Sequence, residues 1–333
     1  MEEGKKILYS GMQATGNLTL GNYIGALNNW LNLSDEYNSF FSIVDQHSIT
    51  VRQDPATLRM NCKKSLAIYL AAGLNPEKSC IYYQSHVPAH AQLAWILNCY
   101  TYIGELQRMT QFKDKAAKNE NNLNAGLLTY PILMAADILL FQTDVVPVGI
   151  DQKQHIELCR TIANRFNNIY GEVFKVPEEI ITKVGAKIMS LQEPTKKMSK
   201  SDENINSSVY ILDDKDTIIR KFKRAVTDSD TEIRYDVENK PGISNLITIY
   251  SVATKKSIAD VEKEFSSVGY GDFKIAVGEA VSDMLKPLHQ KYNDIFNDKK
   301  YLEDIAKNGA EKASYFANKT LRKVEKKIGF PSK

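Results

Sequence analysis

The feature that most constrains the fold of this chain is an alternation that runs through its first half and then stops. Short apolar, β-prone runs stand at KILYSG (residues 6–11), SFFSIVD (39–45), CIYYQS (80–85) and DVVPVG (144–149). Between them lie longer stretches with helical spacing. Residues 55–72 carry Leu58, Cys62, Leu66 and Tyr69 three or four apart, and residues 126–141 and 151–169 are others. Strand, helix, strand, helix with short connections predicts a parallel sheet covered by helices on both faces. In such a sheet ligands sit at the carboxyl ends of the strands, so the residues that follow each strand are the ones to inspect. From about residue 190 the strand signal is gone. Residues 214–225, 241–252, 257–265, 272–296 and the chain from about 301 read as amphipathic helices. The expected division is a sheet domain over 1–190 and a helical domain over 191–333. The last helix either belongs to that second module or returns to pack on the sheet. A polar, Asn-rich insertion, KDKAAKNENNLN (113–124), reads as a mobile loop or an excursion at the sheet edge.

Charge and cysteine usage narrow the classes further. Lys and Arg number 43 against 40 Asp and Glu, a formal net charge of +3. That is too weak to prove a nucleic-acid partner, yet it leaves room for a local basic patch. No apolar run is long enough to cross a bilayer, and the opening MEEGKKILYSG lacks the apolar core and cleavage site of a secretory signal. The four cysteines (Cys62, Cys80, Cys99, Cys159) are far apart, with no CxxC pair. Reduced thiols in a cytoplasmic protein are the simplest account.

Several segments could carry chemistry. After the first strand, Gly16, Gly21 and Gly25 stand with four and three residues between them. This is neither GxGxxG nor a Walker loop. Glycines at the mouth of a helix still let a flat or anionic ligand approach the backbone, and they equally serve a tight turn and a close helix–sheet contact. Asp137 lies inside an apolar run, so it requires a partner donor. That partner is either an arginine elsewhere in the core or a ligand. Tyr130, Met134 and Asp137 share one helix face and would suit a flat apolar ligand with a single N–H or O–H. Gly149, Asp151 and Gln152 follow the last strand and could face the crevice, although Asp151 with Gln154 also fits a capping box. Asp45-Gln46-His47 ends the second strand and either lines the site or orients the end of the sheet. His86 and His90 in HVPAH have metal-like spacing, but Pro88 separates them and no further ligand cluster lies nearby. PTKKMSKSD (194–202) is either a solvated loop or the seat of an anion, and the segment alone does not decide. No arrangement singles out a Ser or Cys nucleophile.

The order of these pieces is more specific than any one of them. TLGN (19–22), YPILMAAD (130–137), GIDQ (149–152) and KMSKS (197–201) occur together with VDQHSIT (44–50), YIGELQRMTQFK (102–113) and KPGISNL (240–246). In this order they resemble the class I aminoacyl-tRNA synthetases, most closely the bacterial-type tryptophanyl family. The resemblance implies an α/β fold, a Rossmann-like parallel-sheet catalytic domain with an α-helical C-terminal domain. It implies that Gln13, Ala14 and Thr15 contact ATP. It places TLGN where the family's HIGH signature stands, so Gly21 and Asn22 meet the nucleotide without the histidine charge. Gly149, Ile150, Asp151 and the backbone near Ile188 would cradle the adenosine. Lys115, Lys197 and Lys200 would meet the phosphates, with Met198, Ser199 and Ser201 in the same loop. Asp137 would accept the indole N–H beside Met134, while Tyr130 and Gln152 hold the polar end of the amino acid.

By the same resemblance the substrates are ATP, L-tryptophan and tRNA(Trp), with Mg²⁺ carried by the ATP phosphates and no metal site on the protein. The tryptophan carboxylate would attack the α-phosphorus, giving tryptophanyl-adenylate and pyrophosphate, and a ribose hydroxyl of the tRNA would then take the aminoacyl group. Such chemistry needs positioning and charge neutralisation rather than a protein nucleophile. A cytoplasmic homodimer is implied. Lys319, Arg322, Lys323, Lys326 and Lys327 form a basic helix face that suits a tRNA backbone or a solvated surface, with Leu321, Val324 and Ile328 on the other side. One acceptor aspartate could bind either an indole or a phenol, so tryptophan over tyrosine rests on the resemblance.

Overall fold

The computed structural model describes residues 2, 4–14, 16, 18–113, 123–149, 152–181, 187–199, 202 and 204–331. Five parallel strands form one sheet: β1 (Ile7–Met12), β2 (Asn38–Ile43), β3 (Cys80–Tyr83), β4 (Val145–Val148) and β5 (Glu178–Ile181). Their order is β3-β2-β1-β4-β5. The α/β, Rossmann-like expectation holds, and the strand order reverses between β1 and β4, where such sheets bind ligands. β1 and β2 are in register along their whole length, from Ile7↔Asn38 to Met12↔Ile43. β1 and β4 pair at Leu8↔Val145, near the start of both strands. β4 also contains Pro147, which has no N–H to give to a ladder. β5 was not legible in the sequence. Its four residues, EEII, show no alternation, and pairing with β4 from Val145↔Glu178 to Val148↔Ile181 creates the strand.

Side chains alternate between two cores, as the pleat requires. Leu8, Phe41, Ile43 and Ile81 face one core, with Trp30 and the Pro55–Ala72 helix packed over them. Tyr9, Phe40, Tyr82 and Val146 face the other, under the helices Ala89–Asn98, Ala125–Leu139 and Lys153–Tyr170. The first core continues through Ile188, Met198 and Val209 into the helices Lys215–Lys223, Pro241–Thr254, Ile258–Glu264 and Tyr270–Asn297. Gly278 lets two of these touch, since a Cβ there would lie 2.9 Å from the Cα of Ile219. The last helix, Lys299–Ile328, runs along the β3 edge. A Cβ on Gly309 would lie 1.8 Å from the carbonyl oxygen of Ile81, and the Cys80 thiol donates to the Gly309 carbonyl at 3.2 Å. Residues 114–122 of the polar insertion fall outside the described residues.

Candidate active site at the β1–β4 crevice

The chain leaves β1 along a turn held from two sides. The Ala14 N–H donates to Ser48 Oγ at 3.2 Å, and Gln13 Nε2 reaches the His47 carbonyl at 3.5 Å. Gly16 takes a φ of +73°, and a side chain there would run into Asn61 of the Pro55–Ala72 helix. Thr19 then opens the next helix with a capping box. Its Oγ accepts the Asn22 N–H at 3.2 Å, and Asn22 Oδ1 accepts from the Thr19 N–H and hydroxyl at 3.2 and 3.0 Å. Asn22 thus spends its carbonyl on the turn, and its N–H bonds are what it can offer a ligand oxygen.

Residues 188–198 fold back on themselves as a hairpin, with Ser190 N–H to Lys196 O at 2.8 Å and Met198 N–H to Ile188 O at 3.1 Å. Asn245, buried on the Pro241–Thr254 helix, holds Met189 twice, accepting from its N–H at 2.9 Å and donating to its carbonyl at 3.0 Å. The segment after the hairpin ties it to the TLGN turn. Ser208 Oγ donates to the Ser199 carbonyl at 2.9 Å, Leu20 N–H to Val209 O at 2.8 Å, and Ile211 N–H to Leu18 O at 2.9 Å. As a result Gly21 faces Ile188 and Met198, whose Cβ atoms would lie 3.6 and 3.7 Å from a Cβ on that glycine. Candidates from distant parts of the chain are therefore brought side by side. Ile188 and Met198 are buried, so their side chains anchor the hairpin while Lys197 and Ser199 stand exposed beside them. Thr15, Lys115, Ile150, Asp151, Lys200 and Ser201 lie outside the described residues.

Asp137 is the centre of a buried polar cluster. The Ala125–Leu139 helix carries it, and it is only 2% exposed. Its Oδ1 accepts from Gln84 Nε2 at 2.7 Å and His90 Nδ1 at 2.7 Å, and its Oδ2 from His47 Nε2 at 2.9 Å. No arginine is involved: among the described residues its ion-pair partners are the two histidines. Burial works against its charge, but His90 and then His47 outweigh that penalty and hold its pKa at about 2. His90 is thus a partner of this carboxylate, whereas His86 is exposed at the end of β3. Among the described residues no group of three or more His, Cys, Asp or Glu could hold a metal ion. Asp45 takes the other role considered for its segment. It accepts from the backbone and hydroxyl of Ser85 and so fixes the turn after β3.

Tyr130 and Met134 lie on the same helix as Asp137, and the Tyr130 ring meets the His47 ring at 6.4 Å. The Tyr130 hydroxyl bonds Gln111 Oε1 at 3.2 Å and His155 Nε2 at 3.0 Å, and burial pushes its pKa up to about 12. Gln152 stands at the N-cap position of the Lys153–Tyr170 helix, and its N–H donates to the Gly149 carbonyl at 2.9 Å. Asp151, the other member of the capping box expected with Gln154, lies outside the described residues, and Gln154 accepts from the N–H and hydroxyl of Thr110 at 3.0 and 2.9 Å. That contact joins this helix to the 110–113 turn, which local sequence cannot reveal. On the basic terminal helix, Lys323 donates to the carbonyls of Glu172 and Val173 at 2.9 and 3.1 Å, so one of its cations secures the chain after the Lys153–Tyr170 helix. Gln84, Tyr82 and Asn245 were not among the expected site residues, and His47, which was, proves to be a partner of Asp137. Only the buried carboxylate of Asp137, which demanded donors, hinted at Gln84.

Comparison with known proteins agrees with this geometry. The family described as tRNA synthetases class I (W and Y) matches residues 1–286. The tryptophan–tRNA ligase of Clostridium tetani is 56% identical over 330 residues, which is 99% of this chain and 97% of that protein. The crystal structure of tryptophanyl-tRNA synthetase from Mycoplasma pneumoniae superposes with a TM-score of 0.90 at 37% identity, covering 98% of this chain and 99% of that one. The enzyme from Campylobacter jejuni, complexed with ADP and tryptophan, superposes with a TM-score of 0.83 at 36% identity, covering 98% and 100%.

Proposed function

The chain belongs to the class I tRNA synthetases of the tryptophan and tyrosine type, and from that premise we infer that it is a tryptophan–tRNA ligase. It joins L-tryptophan to ATP as tryptophanyl-adenylate, releasing pyrophosphate, and passes the aminoacyl group to the 3′ end of tRNA(Trp). The observation that carries this reading is the convergence of Gly21, Ile188 and Met198 at the β1–β4 crevice. It sets the TLGN turn and the lysine hairpin together beyond the end of β1.

The residue roles are our proposal. Gln13, Ala14, Thr15, Gly21 and Asn22 would line the ATP, with Gly149, Ile150, Asp151 and the Ile188 backbone around the adenosine. Lys115, Lys197 and Lys200, together with Met198, Ser199 and Ser201, would gather round the phosphates. There the lysines neutralise the charge that grows on the departing pyrophosphate. Mg²⁺ would enter on the ATP phosphates, whose hard oxygens suit it. Asp137 would accept the indole N–H at Oδ2, beside Met134, while Tyr130 and Gln152 hold the ammonium and carboxylate end. A carboxylate held ionised and acceptor-only favours a ligand N–H.

We further propose division of labour between 1–190 as the catalytic domain and 191–333 as the part that meets tRNA, and a homodimer. Support for the dimer comes from Trp95, Tyr102 and Ile103, which are 70%, 65% and 65% exposed within nine residues of chain. A cytoplasmic site of action follows from the proposed role in protein synthesis. Among the described residues no helix is long and apolar enough to cross a membrane. Amino-acid-dependent ATP–pyrophosphate exchange, run with tryptophan and tyrosine side by side and followed by tRNA charging, tests the reading. Tryptophan should drive exchange, and tyrosine driving it better would overturn the conclusion.

A further inference from the structure

We propose that His90, backed by Tyr82, is a positioning residue for amino-acid selection: it saturates Oδ1 of Asp137, so that Oδ2 is left with one place for a ring N–H. This deepens the assignment of Asp137 as the indole acceptor and rests on it.

The argument begins with capacity. A carboxylate oxygen accepts two hydrogen bonds. Oδ1 of Asp137 receives two, from Gln84 and His90, and is full. Among the described residues Oδ2 receives one, from His47. The free place is therefore on Oδ2, and its direction is set by the three donors already in place. An ionised carboxylate only accepts, so the hydrogen of His90 on this side is on Nδ1. The other ring nitrogen, Nε2, is hydrogen-bonded to the Tyr82 hydroxyl at 3.0 Å. Tyr82, His90 and Asp137 thus form one hydrogen-bonded chain, all of it buried. The ring cannot turn away easily. It stacks on Tyr82 at 5.8 Å and leans on Phe141 at 5.7 Å.

The members come from separate elements. Tyr82 is on β3, Gln84 on the turn after it, His90 on the Ala89–Asn98 helix and Asp137 on the Ala125–Leu139 helix. A buried cluster spread over four elements could serve the core alone. The distinguishing feature is the unequal filling of the two carboxylate oxygens. A purely structural cluster has no need to leave one acceptor place of a 2%-exposed carboxylate unfilled.

The test measures a ratio within each variant, so that partial misfolding cancels. Pyrophosphate exchange is followed with tryptophan and with 3-benzothienylalanine, which carries sulfur where the indole has its N–H. The wild-type protein should prefer tryptophan in kcat/KM. His90→Leu should cut that preference by about tenfold or more through KM for tryptophan, with KM for ATP unmoved. His90→Asn, which keeps a donor near the Nδ1 position, should retain most of it, and Tyr82→Phe should fall between. If His90→Leu slows both amino acids equally and leaves the ratio at the wild-type value, His90 is a core residue only and the proposal fails. Asp137→Ala separates the two levels. An unchanged ratio there overturns the acceptor role of Asp137 itself, whereas a collapsed ratio there with a wild-type ratio in His90→Leu overturns only the positioning role.

Discussion

Gly309→Ala adds one methyl group where the last helix crosses the β3 edge. The new Cβ would lie 1.8 Å from the Ile81 carbonyl oxygen and 2.8 Å from its carbon. Carbon–oxygen contacts settle at about 3.3 Å, so the helix or the strand must move by roughly 1.5 Å. The obstacle is backbone inside a paired strand, so no side-chain rotation relieves it. Lifting the helix stretches the Cys80 thiol bond to the Gly309 carbonyl and loosens Ala310, Ala313 and Ala317, which are buried against the same face. Overpacking of this kind costs about 1–3 kcal/mol, and separating packed alanines adds a further loss of dispersion. The gain in helix propensity from Gly to Ala offsets up to about 1 kcal/mol of that. The expected net effect is a loss of about 2 kcal/mol, read as a lower urea midpoint at an unchanged m-value. Gly271→Ala, in the first turn of the Tyr270–Asn297 helix, is the control. Nothing lies within 4 Å of its added Cβ, so the same chemical change should be neutral or stabilising there. The Gly309 methyl would also sit 3.4 Å from the Cβ of Tyr82. A secondary rise in KM for tryptophan is therefore expected. Equal stability of Gly309→Ala and Gly271→Ala would refute the close-approach argument.

Lys197→Ala and Lys200→Ala should each slow pyrophosphate exchange by about 10²-fold or more with circular dichroism unchanged, as expected when a charge-stabilising donor is removed; wild-type rates would contradict the phosphate role. Asn245→Ala strands the N–H and carbonyl of Met189, so it should cost about 2 kcal/mol in urea unfolding and raise KM for ATP. A stability loss without any change in KM would separate the hairpin from nucleotide binding. For Asp137 the folded-state pKa lies below the unfolded one, about 2 against 3.8. Its ionised form therefore contributes about 2 kcal/mol of stability above pH 3.8, lost as pH falls through about 2. The stability difference between the wild-type protein and Asp137→Asn should narrow over that window, and a difference that widens on acidification would reverse the sign of the argument.

Much of the architecture is local information, and local information is written in the chain. Four strands follow from short apolar, β-prone runs and the long helices from a period of three to four residues. The helix beginning at Pro55 even starts where Asp54 accepts the Thr57 N–H. The motif order likewise carried the family. β5 escaped because its stretch, EEII, opens on two glutamates and offers no apolar run, and it exists by pairing with β4. The bond that Gln154 accepts from Thr110, 44 positions away, was illegible for a related reason: no local pattern announces it.

For the site, the chain by itself determined which chemistry was present: a carboxylate in an apolar helix, lysines and serines in one loop, glycines after a strand. Only the tertiary structure decided the company each keeps. Asp137 required a donor on solvation grounds alone, yet no spacing distinguishes an arginine from two histidines and a glutamine 90, 47 and 53 positions distant. The same holds for Gly21 and Met198, separated by nearly the length of the sheet domain and brought face to face by the 207–211 segment. Periodicity reports which side of an element is buried. Which elements meet there is settled by the crossover of parallel strands and by the fit of buried polar groups, and neither is encoded in any short stretch of the chain.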